Sequence, residues 1–344
     1  MALGVEVRIF LHLFRSKKGY DMSKLTVAVD VMGSDLGPAA VIEGAIQAAT
    51  EFSDVNLVLV GDENIIRTEL GKVSNPPAFE ILHAPEVIGF NEQPTTAIKQ
   101  KKNSSIVVGL KHLKAGNAQG FVSAGSTGAL LVGVFTFLKR KPGIQRPALC
   151  ALLPTKTGFT LLLDCGANAE VKPSYLLQFG QLGAEYMQSC MGVKNPRVGL
   201  VNIGTEKEKG TPLLQEAYEL LGASELNFAG NIEGRSIPAG DVDVAVCDGF
   251  VGNVVLKLTE GLSKTLMGMI KEELMASTMS KIGALLAKGA FGRLKKRFDY
   301  REVGGAPFLG LESLVVKAHG SSDALAIKNA IRQCINYEKG RPQK

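Results

Sequence analysis

Short apolar runs recur along the chain, and each ends in small polar residues and glycine before a stretch with helical spacing. These runs and their turns are TVAVDVMGSDLGP, NLVLVGDEN, FVSAGSTGAL, TLLLDCGANAEVKP, RVGLVNIGTEKEKGTP, VDVAVCDGFVGNVVLK and LVVKAHGSSDAL. Such runs predict buried strands, and their alternation with helices predicts right-handed crossovers between parallel strands. We therefore expect an α/β protein with three α/β/α layers around a mostly parallel sheet.

The segment 262–300 departs from this alternation and predicts a protruding helical hairpin. Apolar residues follow helical spacing from Leu262 to Leu274 and recur every four residues from Ile282 to Phe298, while lysines recur every seven on another side. A basic amphipathic hairpin can pack on a second subunit or lie on a membrane surface, and both hold if its base dimerises and its tip touches lipid. The predicted membrane contacts are Leu286, Leu294, Phe298, Lys288 and Lys295.

Positive charge is concentrated in the same part of the chain. The 344 residues have a net charge of +6, and the segment 281–301 contains seven basic residues against one acid. A basic face is usually a solvated surface, but it also attracts anionic lipid or an acidic partner. No apolar run approaches the roughly 18 residues of a membrane-spanning helix, so we expect contact with a membrane surface rather than insertion.

No Pro/Gly/Ser-rich linker divides the chain, so residues 22–344 are expected to form a single domain. Met22 directly precedes the first strand, and residues 1–21 are expected to be an N-terminal extension outside the fold. Glu6 and Arg8 interrupt the apolar patch of that extension and no small-residue cleavage site follows, unlike in a signal peptide. The five cysteines include no C-x-x-C pair, which indicates reduced cytosolic thiols.

Several classes of site chemistry find no support in the sequence. There is no H-E-x-x-H motif and no Cys/His cluster, and the four histidines are scattered, so no metal or cofactor is expected. No G-x-S-x-G nucleophile elbow is present. The turn from Gly125 to Gly128 has neither the Lys-Ser/Thr of a P-loop nor the glycine spacing of a dinucleotide site.

The polar residues that end the predicted strands are the strongest candidates for a site. In open α/β sheets, ligands bind outside the carboxyl ends of the strands, so we expect these residues to lie on one rim. Glycine turns that lead into helices present N–H groups that favour an anion. His319 ends a strand in such a turn and is a candidate catalytic residue. The other residues expected on the rim are Asp30, Ser126, Asp164, Asn168, Asn202, Asp248, Asn253 and Ser321.

The ordered motifs of the chain are similar to those of one family. They are VDVMGSDLGP, KKNSSIVVGL, SAGSTGALL, GIQRPAL, LDCGANAEVKP, VGLVNIGTEKEKG, GNIEGRSIP, CDGFVGNVVLK, EGL, GGAPFLG and KAHGSSDALAIKNAI, over residues 25–335. In this order they resemble the bacterial phosphate acyltransferases of phospholipid synthesis, the PlsX family. The chain has Ser34, Ser126 and Glu170 where glycine, asparagine and aspartate are usual in that family.

The resemblance implies an enzyme that makes acyl phosphate from acyl-acyl carrier protein and inorganic phosphate, for glycerophospholipid synthesis. It implies the fold of isocitrate and isopropylmalate dehydrogenases and of phosphotransacetylases, with no cofactor. It also implies a cytoplasmic homodimer associated peripherally with the inner face of the cell membrane, where a membrane glycerol-3-phosphate acyltransferase uses the product. No nucleic acid partner is expected.

This reaction needs positioning and oxyanion stabilisation more than a strong base, because its nucleophile is already an anion. His319 is expected to deliver a proton to the departing thiolate. Lys257 and Lys209 are expected to be charge partners for the phosphate and the oxyanion. Asp164, Asp248 and Asn168 are expected to orient donors. The residues expected to bind phosphate or substrate are Asp30, Gly33, Gly125, Ser126, Thr127, Gly128, Gly166, Asn168, Asn202, Lys209, Asn253, Ser321 and Ser322. Those expected to steer an acidic carrier protein are Lys99, Lys101, Lys102, Arg140 and Arg146.

Two alternative functions stay open on the residues alone. The first is a phosphotransacetylase-like enzyme that uses acyl-coenzyme A. A decarboxylating dehydrogenase on the same fold is disfavoured, because the sequence has no dinucleotide fingerprint and no evident carboxylate set for Mg²⁺. The second is a non-catalytic, membrane-recruited scaffold of lipid synthesis.

Overall fold

One sheet of eleven strands runs through the part of the protein, residues 24–340, that its computed structural model describes. The strands are β1 (Leu25–Asp30), β2 (Val55–Gly61), β3 (Glu80–His83), β4 (Gly120–Ser123), β5 (Ala148–Pro154), β6 (Phe159–Leu163), β7 (Arg197–Val201), β8 (Asn227–Ile232), β9 (Val244–Val246), β10 (Ala306–Leu309) and β11 (Leu314–Lys317). Their order across the sheet is β3-β2-β1-β4-β11-β10-β5-β6-β9-β7-β8.

Helices connect most of these strands. They are α1 (Pro38–Glu51), α2 (Glu63–Leu70), α3 (Pro94–Gln100), α4 (Ser105–Lys114), α5 (Thr127–Phe137), α6 (Pro173–Met191), α7 (Pro212–Gly222), α8 (Ser236–Ala239), α9 (Gly249–Met275), α10 (Thr278–Leu286), α11 (Lys288–Phe298), α12 (Tyr300–Val303) and α13 (Ala324–Gly340).

Alternate residues of the central strands face two different helical layers. In β1, Val27 packs in one buried cluster with Ile327 of α13, whereas the next residue, Ala28, packs in another with Leu110 of α4 and Leu130 of α5. This alternation follows from the period of two along a strand. The predicted three-layer α/β/α fold is confirmed.

The sheet contains two groups of parallel strands that run in opposite directions, with β10 and β5 between them. Strands β1 to β4 and β11 are parallel, β10 is antiparallel to both β11 and β5, and β6 is antiparallel to β5. Strands β6, β9, β7 and β8 are again parallel to one another. The carboxyl ends of β6, β9 and β7 therefore lie at the opposite edge from those of β1, β4 and β11. The prediction that all strand-end turns share one rim is wrong, because apolar runs do not reveal which strands reverse.

The C-terminal helix returns to the N-terminal half of the fold. Helix α13 packs on α1 at Gly44, where a Cβ would lie only 2.7 Å from the Ile327 Cβ. This close approach brings the turn before α13 beside the turn after β1, and it thereby joins the first and last elements of the fold at one edge of the sheet.

The segment 262–300 is helical, as predicted, and comprises the outer part of α9 with α10 and α11. Helix α9 exposes apolar side chains at regular spacing along one face: Phe250, Val254, Leu258, Leu262 and Leu266. Leu286 is 84% exposed and Leu294 is 37% exposed. The side chains of Lys295 and Phe298 lie outside the described part of the structure, as does the extension 1–21. No helix within residues 24–340 has the length and apolar character needed to cross a membrane.

Candidate active site

Three neighbouring strands place a row of buried polar residues at one edge of the sheet. In the parallel registers, Asp30 at the end of β1 pairs with Ser123 at the end of β4, and Ser123 pairs with Lys317 at the end of β11. The Ser123 Oγ donates to Asp30 Oδ2 at 2.6 Å and accepts from the Gly125 N–H at 3.1 Å. Burial raises the pKa of Asp30, and the hydrogen bond from Ser123 opposes this rise. The edge thus holds a carboxyl, a hydroxyl and an amine away from water.

Lys317 is the member of this row that the sequence analysis missed. Its residue is only 8% exposed, and its Nζ donates to the Ala318 carbonyl and, at 3.3 Å, to the Ala124 carbonyl. Burial lowers the pKa of Lys317 to about 8, against the opposing attraction of Asp30. The sequence did contain a signal for this residue, because a lysine directly follows the apolar residues Leu314 to Val316 and buried strands rarely contain a charge.

Glycines let the turns after β1, β4 and β11 approach one another closely. A Cβ on Gly33 would lie 2.5 Å from the Gly125 nitrogen, and a Cβ on Gly320 would overlap the Asp35 carboxylate. The Asp35 N–H also donates to the Gly320 carbonyl at 2.8 Å. The three turns therefore surround one small region above the row of Asp30, Ser123 and Lys317.

The turn after β4 leads directly into α5. Ser126 is buried and is the N-cap residue, with its Oγ accepting from the Ala129 N–H at 3.4 Å. Thr127 is exposed, and a Cβ on Gly128 would lie 2.7 Å from the Pro94 ring. The start of α5 gives this region a partial positive charge and N–H groups suited to an anion.

His319 lies in the turn after β11, where Ser321 orients its ring. The Ser321 N–H donates to Nδ1 at 3.2 Å, and the Ser321 Oγ lies 2.8 Å from the same nitrogen. Because Nδ1 accepts a hydrogen bond, the neutral ring carries its proton on Nε2. Burial, followed by the positive charge of Lys257, lowers the pKa of His319, so the neutral form dominates at pH 7.

The same turn contains an unsatisfied hydroxyl. Ser322 is fully buried, and its Oγ has no hydrogen-bond partner among the described residues. A buried polar group without a partner costs roughly 1–3 kcal/mol, so such groups are rare in folded proteins. Ser322 was predicted to bind substrate, and that role stays a prediction, because its Oγ is enclosed by protein in this structure.

A second group of predicted residues lies at the opposite edge, at the end of β6. Asp164 is buried and accepts from Leu149 N–H at 2.9 Å, from Ala167 N–H at 3.1 Å, and from both the backbone and the side-chain amide of Asn168 at 2.5 and 3.0 Å. Burial raises the pKa of Asp164 despite these donors. Gly166 is in the left-handed region with φ of 129°. These contacts are those of a residue that orients a loop.

Helix α9 connects the two edges. Asp248 is its N-cap and accepts from Phe250 N–H and Val251 N–H, both at 2.9 Å. A Cβ on Gly252 would overlap the Asp164 carbonyl, so the first turn of the helix packs directly on the Asp164 loop. Nine residues after its cap, or about 13 Å along the helix, α9 presents Lys257, whose charge acts on His319 and Lys317.

The structure therefore brings only some of the predicted site residues together. Around the buried row lie Asp30, Gly33, Gly125, Ser126, Thr127, Gly128, His319, Ser321 and Ser322, with Lys257 reaching them from α9. At the opposite edge lie Asp164, Gly166, Asn168, Asp248 and Asn253.

Asn202 and Lys209 belong to neither group. Asn202 ends β7, two strands from β6, and its Nδ2 donates to the Lys209 carbonyl at 3.0 Å. The Lys209 side chain lines a separate small pocket with Glu206 and Arg235. Their place along the sheet was not evident from the sequence, because the order of strands depends on pairing between distant segments.

The basic residues predicted to meet a carrier protein fall into two places. Arg140 and Arg146 line an open cavity of about 990 Å³ that also contains Lys139 and Phe135, and the Arg146 guanidinium lies 5.9 Å from the Phe135 ring centre. Lys99, Lys101 and Lys102 lie at and after the end of α3. There, Lys101 forms an ion pair of 2.7 Å with Glu92 and so supports the local structure.

Within residues 24–340, no group of three or more His, Cys, Asp or Glu side chains is arranged to hold a metal ion. The acidic residues at the two edges instead accept hydrogen bonds from the protein itself, as Asp30 does from Ser123 and Asp164 from Asn168.

Comparison with known proteins relates this architecture to a family. A family model described as "Fatty acid synthesis protein" matches residues 25–342. The chain is 48% identical over 317 residues to a phosphate acyltransferase of Clostridium tetani, which covers 92% of this chain and 95% of that protein. The chain belongs to the phosphate acyltransferase family. A phosphate acyltransferase of Alkaliphilus oremlandii is 47% identical over 314 residues, with 91% and 93% of the two chains covered. The predicted family and enzyme class, an acyltransferase, are thereby confirmed.

Solved structures show how widely the fold of this phosphate acyltransferase family member is shared. A phosphotransacetylase from Streptococcus pyogenes matches with a TM-score of 0.62 at 19% identity, over 92% of this chain and 95% of that one. A 4-hydroxythreonine-4-phosphate dehydrogenase from Klebsiella pneumoniae matches with a TM-score of 0.51 at 12% identity, over 93% and 100%. At these identities the likeness shows the fold alone, and it agrees with the fold predicted from the resemblance.

The contact between α9 and the Asp164 loop generates a stability prediction. Gly252→Ala should lower the free energy of unfolding by about 1–3 kcal/mol or more, because the added methyl group would overlap a backbone carbonyl that cannot rotate away. Gly261→Ala is the matched control on the same helix. Nothing lies within 4 Å of its added Cβ, so its stability should stay the same or rise by up to about 1 kcal/mol. Urea unfolding measures both, and equal stability of the two variants would contradict the close packing.

Proposed function

We propose that this protein transfers an acyl group from acyl-acyl carrier protein to inorganic phosphate and so makes acyl phosphate for glycerophospholipid synthesis. Membership of the phosphate acyltransferase family supports acyl transfer to phosphate. The observation that carries the proposal is the convergence of three glycine turns above Asp30, Ser123 and Lys317. Backbone N–H groups, a helix N-terminus and a buried cation together suit a phosphate.

The chemistry places few demands on acid or base residues. A phosphate oxygen forms a bond to the thioester carbonyl carbon, a tetrahedral oxyanion forms, and the C–S bond then breaks. Hydrogen phosphate brings one proton and the released thiolate takes up one, so the protons balance. The protein must mainly hold phosphate against the thioester and stabilise the oxyanion. The proposed donors are the N–H groups of the turns that contain Gly33 and Gly125.

The contacts of His319 favour a hydrogen bond to the oxyanion over the predicted delivery of a proton to the thiolate. A neutral ring whose Nδ1 accepts from Ser321 offers its Nε2–H as a donor. Proton delivery instead requires the imidazolium, which the lowered pKa of His319 makes scarce at pH 7. Lys257 adds positive charge on the same side, although its ammonium also pairs with Glu260 at 2.7 Å. Asp164 and Asp248 orient the loop and helix that carry Lys257.

An acidic carrier protein would dock on basic surface near the ends of the sheet. Arg140, Arg146, Lys99 and Lys102 are the proposed steering residues. The cavity lined by Arg140 and Arg146 reaches Pro147, whose carbonyl accepts from Asn168 Nδ2 at 2.9 Å. The part of this surface around Arg140 and Arg146 therefore adjoins the Asp164 loop, on which the first turn of α9 packs.

The exposed face of α9 supports a homodimer, and the basic tip supports peripheral attachment to the inner face of the cell membrane. Five apolar side chains from Phe250 to Leu266 lie exposed on one helix face, which is the usual signature of a surface that a partner covers. At the tip, Leu286 is exposed beside Lys288. Apolar side chains next to basic ones suit the headgroup region of anionic lipid, where a membrane acyltransferase would take up the product.

Incubation of the pure protein with acyl-acyl carrier protein and phosphate tests the proposed function. Free thiol and acyl phosphate should appear in equal amounts, and neither should appear when phosphate is omitted. Acyl-coenzyme A is the comparison substrate. A clear preference for it would favour a phosphotransacetylase-like enzyme, and absence of product from both would leave a non-catalytic scaffold as the better explanation.

Replacement of His319 tests its role in turnover. His319→Ala should lower kcat by about a hundredfold, a typical effect of removing a catalytic proton-transfer or hydrogen-bonding group. If the neutral ring donates a hydrogen bond, wild-type kcat should rise with pH through the lowered pKa of His319 and then level off. If the imidazolium instead delivers a proton, kcat should fall as the pH rises through that pKa. The pH profile of kcat between pH 5 and about 8 measures this. His112→Gln on α4 is the control, and unchanged turnover in folded His319→Ala would remove His319 from the mechanism.

The membrane contact predicts a loss of vesicle binding when its apolar residues become charged. Leu286→Glu combined with Leu294→Glu should weaken binding to vesicles that contain anionic phosphatidylglycerol by at least about tenfold, because both apolar burial and charge attraction are reduced. Ile203→Glu changes an equally exposed apolar residue outside the segment and should bind as the wild type does. Co-sedimentation measures binding, and equal binding by all three proteins would exclude this segment as the contact.

A further inference from the structure

Lys317 has an unusual position for a lysine. It ends a central strand, flanked in the sheet by β4 and β10, and its residue is only 8% exposed. Removing an ammonium from water is energetically unfavourable, and close partners must offset this cost. The role of Lys317 therefore depends on which partners it has.

The hydrogen bonds of Lys317 connect two turns of the proposed site. Its Nζ donates to the carbonyl of Ala124, which precedes the Gly125 turn, and to the carbonyl of Ala318, which precedes the His319 turn. One ammonium therefore joins the turn that leads into α5 to the turn that leads into α13. Displacement of either turn would break one of these bonds.

The charge of Lys317 is not used in a direct ion pair with its neighbour in the row. Among the described residues, no nitrogen–oxygen contact within 4 Å joins Lys317 to Asp30, whose Oδ2 instead accepts from Ser123 and whose Oδ1 accepts from the Met32 N–H. The ammonium therefore adds positive potential to the region between the turns. The buried Ser322 hydroxyl, which has no hydrogen-bond partner among the described residues, lies in one of those turns and leaves a polar group there unused.

We propose that Lys317 is a positioning residue for phosphate, whose buried ammonium holds the two turns together and supplies the positive potential in which the anion binds. The inference rests on the proposed function, since it takes phosphate as the ligand of this region. It assigns Lys317 a role in phosphate affinity and not in recognition of the acyl carrier.

The proposal has a consequence for pH dependence. The charged or titratable groups that face Lys317 are Asp30 on β1, Asp35 in the turn after β1, Lys257 on α9 and His319 in its own turn. Burial lowers the pKa of Lys317 to about 8, so its charge is present below that pH and is lost above it. Phosphate affinity should therefore fall as pH rises through about 8. An arginine would stay charged throughout this range.

Steady-state kinetics of Lys317→Met and Lys317→Arg test the proposal, with Lys194→Met, an exposed lysine, as the control. At pH 7, Lys317→Met should raise the KM for phosphate at least about tenfold, whereas its KM for acyl-acyl carrier protein should stay within about twofold. From pH 7 to about 9.5, the wild-type KM for phosphate should rise towards that of Lys317→Met. Lys317→Arg should show a smaller rise. Phosphate itself changes its protonation with pH to the same extent in every assay. The ratio of the variant's KM for phosphate to the wild-type KM therefore reports only the titration of the protein.

Three outcomes would overturn the proposal. They are an unchanged KM for phosphate in Lys317→Met, an equal rise in both KM values, and a pH profile of Lys317→Arg identical to that of the wild type. If Lys317→Met does not fold, the profile of Lys317→Arg decides alone. If the wild type makes no acyl phosphate, the proposed function fails. Lys317 is then tested by titrating each protein with inorganic phosphate and following binding by ³¹P NMR. Equal phosphate affinities of the wild type and Lys317→Met would count against the proposal.

Discussion

Three successive antiparallel pairings, β11 with β10, β10 with β5 and β5 with β6, decide at which edge each turn of the sheet lies. Because the number of reversals is odd, the parallel strands β1, β4 and β11 run opposite to β6, β9 and β7. In a purely parallel sheet all of the glycine turns would meet at one edge, and the ligand site would extend along many strands. Here the glycine turns with the geometry suited to an anion are concentrated at the ends of three adjacent strands. The turns after β6 and β9 instead meet at the first turn of α9.

Helix α9 is the element through which the two edges act on each other. Its first turn packs on the Asp164 loop because Gly252 has no side chain, and its N-cap Asp248 satisfies N–H groups that would otherwise be unpaired. Farther along, Lys257 contributes charge near His319, and beyond it the helix exposes an apolar face. One helix thus joins the loop at one edge, the turns at the other and the outer surface, so that a partner bound to its exposed face would also fix Lys257.

The buried row of Asp30, Ser123 and Lys317 is costly to maintain. Burial shifts the pKa of Asp30 upwards and that of Lys317 downwards, which means that desolvation works against both charges. Apolar residues in these positions would pack without this penalty. Polar groups retained at the centre of a sheet edge, beside glycine turns, are typical of sites whose chemistry requires them. Ser322 in the turn after β11 is also a buried polar residue, and its hydroxyl has no partner within residues 24–340.

By itself, the sequence determined the fold class, the family and the local chemistry of each turn. Strands such as Leu25–Asp30 and the turns after them depend on residues that are close together in the sequence. The spacing of apolar residues and glycines therefore predicts them. His319 and Gly125 were predicted in one site and lie in adjacent turns. Only the tertiary structure decided which turns meet. The direction of the second group of strands relative to the first depends on pairings such as that of Leu149 with Phe308, which are far apart along the chain. The burial of Lys317 likewise depends on strands that only the folded sheet brings beside it.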